Sequence, residues 1–260
     1  MTTISPPELK ARSRLAMALD VPGREPALEL VREVKDFFGW FKVGLELFIS
    51  AGPGLLAEIK AEAPGSLIFL DLKIHDIPAT AARAAAAAQR QGADLLTVHA
   101  QGGEEMMTAA VQAAPGLKIA AVTLLTSLLP SSLEELASQY REDGQYALFL
   151  AQRAVWCGCQ AAVASPLETA GLREKFGPGL FLVTPGIRPV RTAPAGGRTE
   201  AASPQAARPA DDQKRTGTPR EALAAGADLL VVGRPVRDAP SPSLAAGLLL
   251  DEILDWQSPG

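Results

Sequence analysis

The sequence is sparing with the residues that build metal centres, disulfide scaffolds and membrane spans. Only two cysteines occur among its 260 residues, Cys157 and Cys159, both within "WCGCQ". A lone C-x-C has no second pair to complete a zinc site, so these thiols are expected to be buried and reduced, as in a cytosolic protein. There are two histidines and neither an H-x-H nor an H-E-x-x-H pattern, hence no dedicated metal site. No apolar run reaches the roughly 18 residues of a membrane span. The opening "MTTISPPELKARSR" lacks the apolar segment of a secretory signal. A Walker loop and a G-x-S-x-G nucleophile elbow are absent as well. Positive charge is not in excess, since the net charge is −4, so no nucleic-acid partner is expected.

What the chain does have is hydrophobic content, 47% of its residues, ample for one large domain or two small ones. Short apolar runs ending in polar residues recur. They predict strands over 15–21, 40–45, 66–74, 93–100, 117–125, 161–166, 180–187 and 227–234. Helical patterns lie between, over 25–38, 79–93, 131–140 and 219–227. Strands alternating with helices argue for a parallel sheet with crossover helices. Eight such units in this length fit a (β/α)8 TIM barrel, one domain over 1–260. The rival, an open doubly wound sheet, more often carries G-x-G-x-x-G after its first strand, where this chain has "ALDVPGREP". One segment breaks the rhythm. Residues 189–212, rich in Pro, Ala, Gly and Arg without an apolar stripe, are expected to form a long loop closing over a phosphate.

In this register the strand ends carry Asp20, Lys42, Asp71, Lys73, His99, Thr126, Arg188 and Arg234. Barrel enzymes build their sites at those ends. Asp71 and Lys73 are two apart, so plain alternation puts both side chains on one face. Asp20 and Lys42 should converge on the same mouth, with Asp76 on the loop beyond. A buried ion network that only satisfies itself is the bland reading, but such pairs are weak stabilising devices. Gly233 and Arg234, after the last strand, suit a phosphate, through backbone N–H groups and a bidentate guanidinium. Arg188 and Gln213 flank the long loop before them. Alternation turns His75 away from the charges, and His99 is placed either at the mouth or packed beneath it.

Several motifs then converge. "ALD" at 18–20, "KVG" at 42–44, "DLKIHDIPAT" at 71–80, "AVTLLTS" at 121–127, "TPGIRP" at 184–189, "DDQKR" at 211–215 and "VVGRP" at 231–235 run in order along nearly the whole chain. Together they resemble the orotidine 5′-phosphate decarboxylase family. The resemblance implies a cytoplasmic homodimer that makes UMP and CO2 in de novo pyrimidine biosynthesis, with no metal and no cofactor. It implies that Lys73 protonates C6 of the pyrimidine and that Asp71 sits against the substrate carboxylate. Lys42 bridges the charges and the ribose, and Asp76 reaches into the neighbouring subunit's site. Asp20 binds ribose, Thr80 and Thr126 belong to the substrate site, and Arg188, Gln213, Gly233 and Arg234 hold the phosphate. Ala79 departs from the pattern, which commonly has Asn there, and the loop before Gln213 is longer than usual.

Two rival functions share parts of this pattern. Metal-dependent sugar-phosphate decarboxylases and aldolases of the same superfamily share D-x-K-x-x-D but carry an acidic residue where Lys42 stands. A non-catalytic phosphate-binding barrel would not need the set Lys42, Asp71, Lys73 and Asp76. With no residue suited to a covalent adduct, the expected chemistry is electrostatic stabilisation of a C6 carbanion.

Overall fold

The computed structural model describes residues 5–125, 143–190 and 215–256. Eight strands pair in sequence order, all parallel, and close into a barrel: β1 (Leu15–Ala18), β2 (Trp40–Gly44), β3 (Leu67–Ile74), β4 (Leu95–His99), β5 (Lys118–Val122), β6 (Ala161–Val163), β7 (Phe181–Thr184) and β8 (Leu229–Val232). The seam is shut by β8 against β1, with Ala16 opposite Val231. The (β/α)8 barrel expected from the alternation is the fold observed.

Strand periodicity sorts the side chains into two layers. Ala16, Trp40, Phe69, Leu95, Ala120, Ala161, Val183 and Leu229 form one buried cluster inside the barrel. The intervening Met17, Phe41, Ile68, Leu70, Leu96, Ile119 and Leu230 belong to a larger cluster shared with the helices. The interior is therefore packed, and the site can only be an upper continuation of the inward-facing rows. Lys42 and Asp71 continue the rows that begin at Trp40 and Phe69.

Strand ends are shorter than the apolar runs suggest, for identifiable reasons. The run 161–166 yields only Ala161–Val163, because Ser165 is the N-cap of helix Pro166–Phe176, with Glu168 Oε2 accepting from its N–H at 3.0 Å. The run 15–21 stops at Ala18, leaving Asp20 two residues past the strand. The helix expected over 219–227 spans Pro219–Ala224. Thr218 and Glu221 form a capping box at its start, and Gly226 takes φ 96° after its end. The helix expected over 131–140 lies outside the described residues, as does nearly all of the 189–212 loop. Cys157 and Cys159 are free and buried, and burial, with the neighbouring thiol, pushes the Cys159 thiol up to about 12, well away from a reactive thiolate. Among the described residues no helix is long and apolar enough to cross a membrane.

Candidate active site

A cavity of about 590 Å³ opens at the C-terminal ends of the strands. Asp20, Lys42, Asp71, Lys73, Arg188, Gly233 and Arg234, all expected at this mouth, line it together. Apolar residues from several strands, among them Val122, Val163, Val183 and Val231, form the rest of the wall.

The charges are arranged in a chain. Lys42 Nζ donates to Asp20 Oδ1 at 2.9 Å and lies 3.6 Å from Asp71 Oδ2. The same Asp71 oxygen accepts from Lys73 Nζ at 2.8 Å. Lys42 and Asp71 are nearly buried, with side chains 11% and 12% exposed, whereas Asp20 is 48% exposed. Burial pushes the Lys42 ammonium down, but Asp71 and then Asp20 outweigh it and hold it above its ordinary value. Burial likewise pushes the Asp71 carboxyl up, and Lys42, Lys73 and a hydrogen bond from Thr97 reverse this and hold it low. The result is two opposite charges kept ionised inside a low-dielectric mouth. Gly44 leaves the room for it. A Cβ there would lie 3.3 Å from Asp20 Oδ1 and 3.4 Å from Lys42 Nζ.

The backbone under this cluster differs from the alternation that predicted it. Lys73 has φ 49°, the left-handed region, where no other non-glycine residue among those described is found. The β3–β4 register shifts between Leu70 and Ile74. Asp71 and Lys73 do meet, but across an irregularity in the strand and not by simple two-residue periodicity.

Arg188, Arg234 and Arg237 line the same cavity. Gly186 takes φ 80° after β7, and the Arg188 N–H donates to Gly217 O at 2.9 Å, which seats the segment. Arg237 Nη1 donates to the carbonyl of Asp20 at 2.8 Å and so joins the end of β8 to the end of β1. Arg237 and Thr97 were not singled out in the sequence. Thr97 is a lone hydroxyl in the apolar run "LLTVH", and Arg237 follows the G-R by three positions, which are the only local signals. Arg215, part of "DDQKR" but given no role, is buried and paired with Glu168, and its Nη2 donates to Leu125 O at 2.8 Å.

Other expected site residues stand apart. Asp76 is exposed and does not line the cavity of its own chain. Its Oδ1 accepts from the Ile77 N–H at 2.7 Å. Thr80 is partly buried near the start of helix Pro78–Arg90, with Ala79 exposed beside it. The His75 and His99 rings lie 5.5 Å apart at their centroids, and neither residue lines the cavity. Burial, then His75 and Lys73, push the His99 imidazole down. Thr126 and Gln213 lie outside the described residues.

Comparison with known proteins agrees over nearly the full chain. The family model described as "Orotidine 5'-phosphate decarboxylase / HUMPS family" matches residues 13–248. An orotidine 5′-phosphate decarboxylase of Anaeromyxobacter sp. (strain K) is 44% identical over 92% of this chain and 97% of its own. Its counterpart in Thermobifida fusca is 43% identical over 92% and 95%. The crystal structure of orotidine 5′-phosphate decarboxylase from Lactobacillus acidophilus superposes with a TM-score of 0.74 at 31% identity, covering 93% of this chain and 99% of that one.

Proposed function

Because the chain belongs to the orotidine 5′-phosphate decarboxylase / HUMPS family and is an enzyme whose curated relatives carry that decarboxylase name, we propose that it converts orotidine 5′-phosphate to UMP and CO2. The reaction is metal-free, serves pyrimidine synthesis, and is carried out by a cytoplasmic homodimer. The observation that carries this reading is one carboxylate, Asp71, held between two ammonium groups inside the cavity mouth, at 2.8 Å from Lys73 and 3.6 Å from Lys42.

The chemistry follows from charge. The bond between C6 and the carboxylate breaks, its electron pair stays on C6, and CO2 departs. The ring gives that pair little delocalisation, so stabilisation comes from a fixed positive charge already in place. Lys73 supplies the charge and then its proton, which goes to C6. The neutral amine regains a proton from solvent. Asp71 faces the substrate carboxylate, and Lys42 keeps Asp71 ionised while contacting the ribose with Asp20. The phosphate is held by Arg188, Arg234 and Gly233, with Gln213 and the 189–212 loop covering it. Binding energy at that remote group is used to close the site and order the reacting end. Thr80 and Thr126 complete the substrate site. Asp76, turned away from its own cavity, acts in the partner subunit's.

A metal-dependent sugar-phosphate reaction suits this mouth less well. Lys42 Nζ already occupies the position between Asp20 and Asp71 that a divalent cation would need. The test is loss of orotidylate absorbance by enzyme held in excess chelator, with UMP identified as product. Lys73→Ala is expected to abolish turnover and leave phosphate affinity largely intact. Turnover lost to the chelator, or near-normal rates in Lys73→Ala, would overturn the assignment.

A further inference from the structure

We propose that the Thr97 hydroxyl is a positioning residue for the decarboxylation, setting Asp71 and Lys73 relative to one another through a single oxygen. The proposal rests on the reading given under Proposed function. Between the register pairs Leu70–Leu96 and Ile74–Val98, β3 places three residues, Asp71, Leu72 and Lys73, against one on β4, Thr97. The strand therefore carries surplus chain where it holds its two charged residues, as in a bulge that re-aims side chains. Lys73 absorbs the surplus by taking φ 49°, a region that a lysine enters only when its surroundings demand it.

Thr97 is what the surplus folds around. It is fully buried. Its Oγ1 accepts from the Lys73 backbone N–H at 2.9 Å and donates to Asp71 Oδ1 at 2.9 Å. The directions are forced. An amide N–H only donates, so the hydroxyl's single proton is left for Asp71, which must accept it as a carboxylate. With Oδ1 engaged in this way, Oδ2 is aimed at Lys73 Nζ and Lys42 Nζ. One hydroxyl thus fixes the backbone of the proton donor and the rotamer of its counter-ion. It touches no reacting atom.

Thr97→Val keeps the shape and removes both hydrogen bonds, and Thr97→Ser keeps both. Steady-state assays with orotidylate, run with wild type alongside, separate this proposal from the one beneath it, since absent wild-type turnover would defeat only the assigned reaction. A misplacement of about 1 Å at a reacting centre can cost roughly 100-fold, so Thr97→Val is expected to lose ~10- to 100-fold in kcat with KM within about threefold. Thr97→Ser is expected to stay within about threefold of wild type in both, since it keeps both bonds. Asp71 loses a donor to its charged form in the valine variant, so the acid limb of the kcat profile should move to higher pH. Thr97→Cys, with a weak donor, supplies an intermediate kcat if the valine variant does not fold. A folded Thr97→Val, or Thr97→Cys, with wild-type kcat and an unmoved acid limb would overturn the proposal.

Discussion

At the scale of single residues, Asp71 is the group on which the others depend. Its folded value lies below the ordinary 3.8, while Lys42 lies above the ordinary 10.5. A lowered carboxylate contributes stability above its unfolded value and loses it as pH falls through the folded one. A raised ammonium contributes below its unfolded value and loses it as pH climbs through the folded one. The pair is therefore intact across the neutral range, and neither group's titration limits it there. Replacing Asp71 by Asn leaves buried Lys42 with only the half-exposed Asp20 as counter-ion and takes from part-exposed Lys73 its 2.8 Å partner, a loss of about 3 kcal/mol, the low end for broken buried pairs. In denaturant titrations the gap to wild type should hold between about pH 5 and 7 and narrow below about pH 4, as wild-type Asp71 itself protonates. A gap that changes through the neutral range would contradict this. The proximity of Asp71 and Lys73 was legible from their spacing. The left-handed Lys73 was not, because that conformation has a sequence signature only when Gly, Asn or Asp carries it.

At the scale of elements, the buried pair of Arg215 and Glu168 ties three parts of the barrel top together. Glu168 also accepts from the Ser165 N–H and so caps helix Pro166–Phe176, while Arg215 reaches the carbonyl of Leu125 just past β5. Arg215→Ala takes the guanidinium from a carboxylate that is 4% exposed, and is expected to lower stability by ~3 kcal/mol in urea unfolding. Adding Glu168→Gln removes the buried negative charge and should recover a large part of that loss. No recovery in the double variant would show that the pair is not what Arg215 supplies. The strands were legible because each is an apolar run between polar punctuation. This pair was not, since its members stand 47 positions apart with no periodic pattern linking them.

At the scale of the molecule, the role proposed for Asp76 in the partner subunit would make the site's completeness a property of two chains. Lys73→Ala and Asp76→Ala enzymes are each expected to be inactive. Dissociated, mixed and reassembled, half of the dimers are hybrids, and each hybrid regains one intact site of two. Recovery of about a quarter of wild-type activity is therefore expected from random pairing about a two-fold axis. If Asp76 serves its own chain, mixing restores nothing. The barrel itself was legible from eight apolar runs alternating with helical patterns, but the hydrogen bond from Arg237 to Asp20, 217 positions apart, was not.

That bond has a temporal meaning for a chain made from its N-terminus onward. Asp20, Lys42, Asp71 and Lys73 are all synthesised within the first third of the polypeptide, yet Arg188 arrives only after β7, and Arg234 and Arg237 only after β8. A ribosome-bound or prematurely terminated chain that stops before β8 holds the charged lysines and carboxylates but has no closed seam and lacks Arg234, the arginine proposed to hold the phosphate. On the proposed function, such fragments should neither turn over orotidylate nor compete for it while translation is unfinished.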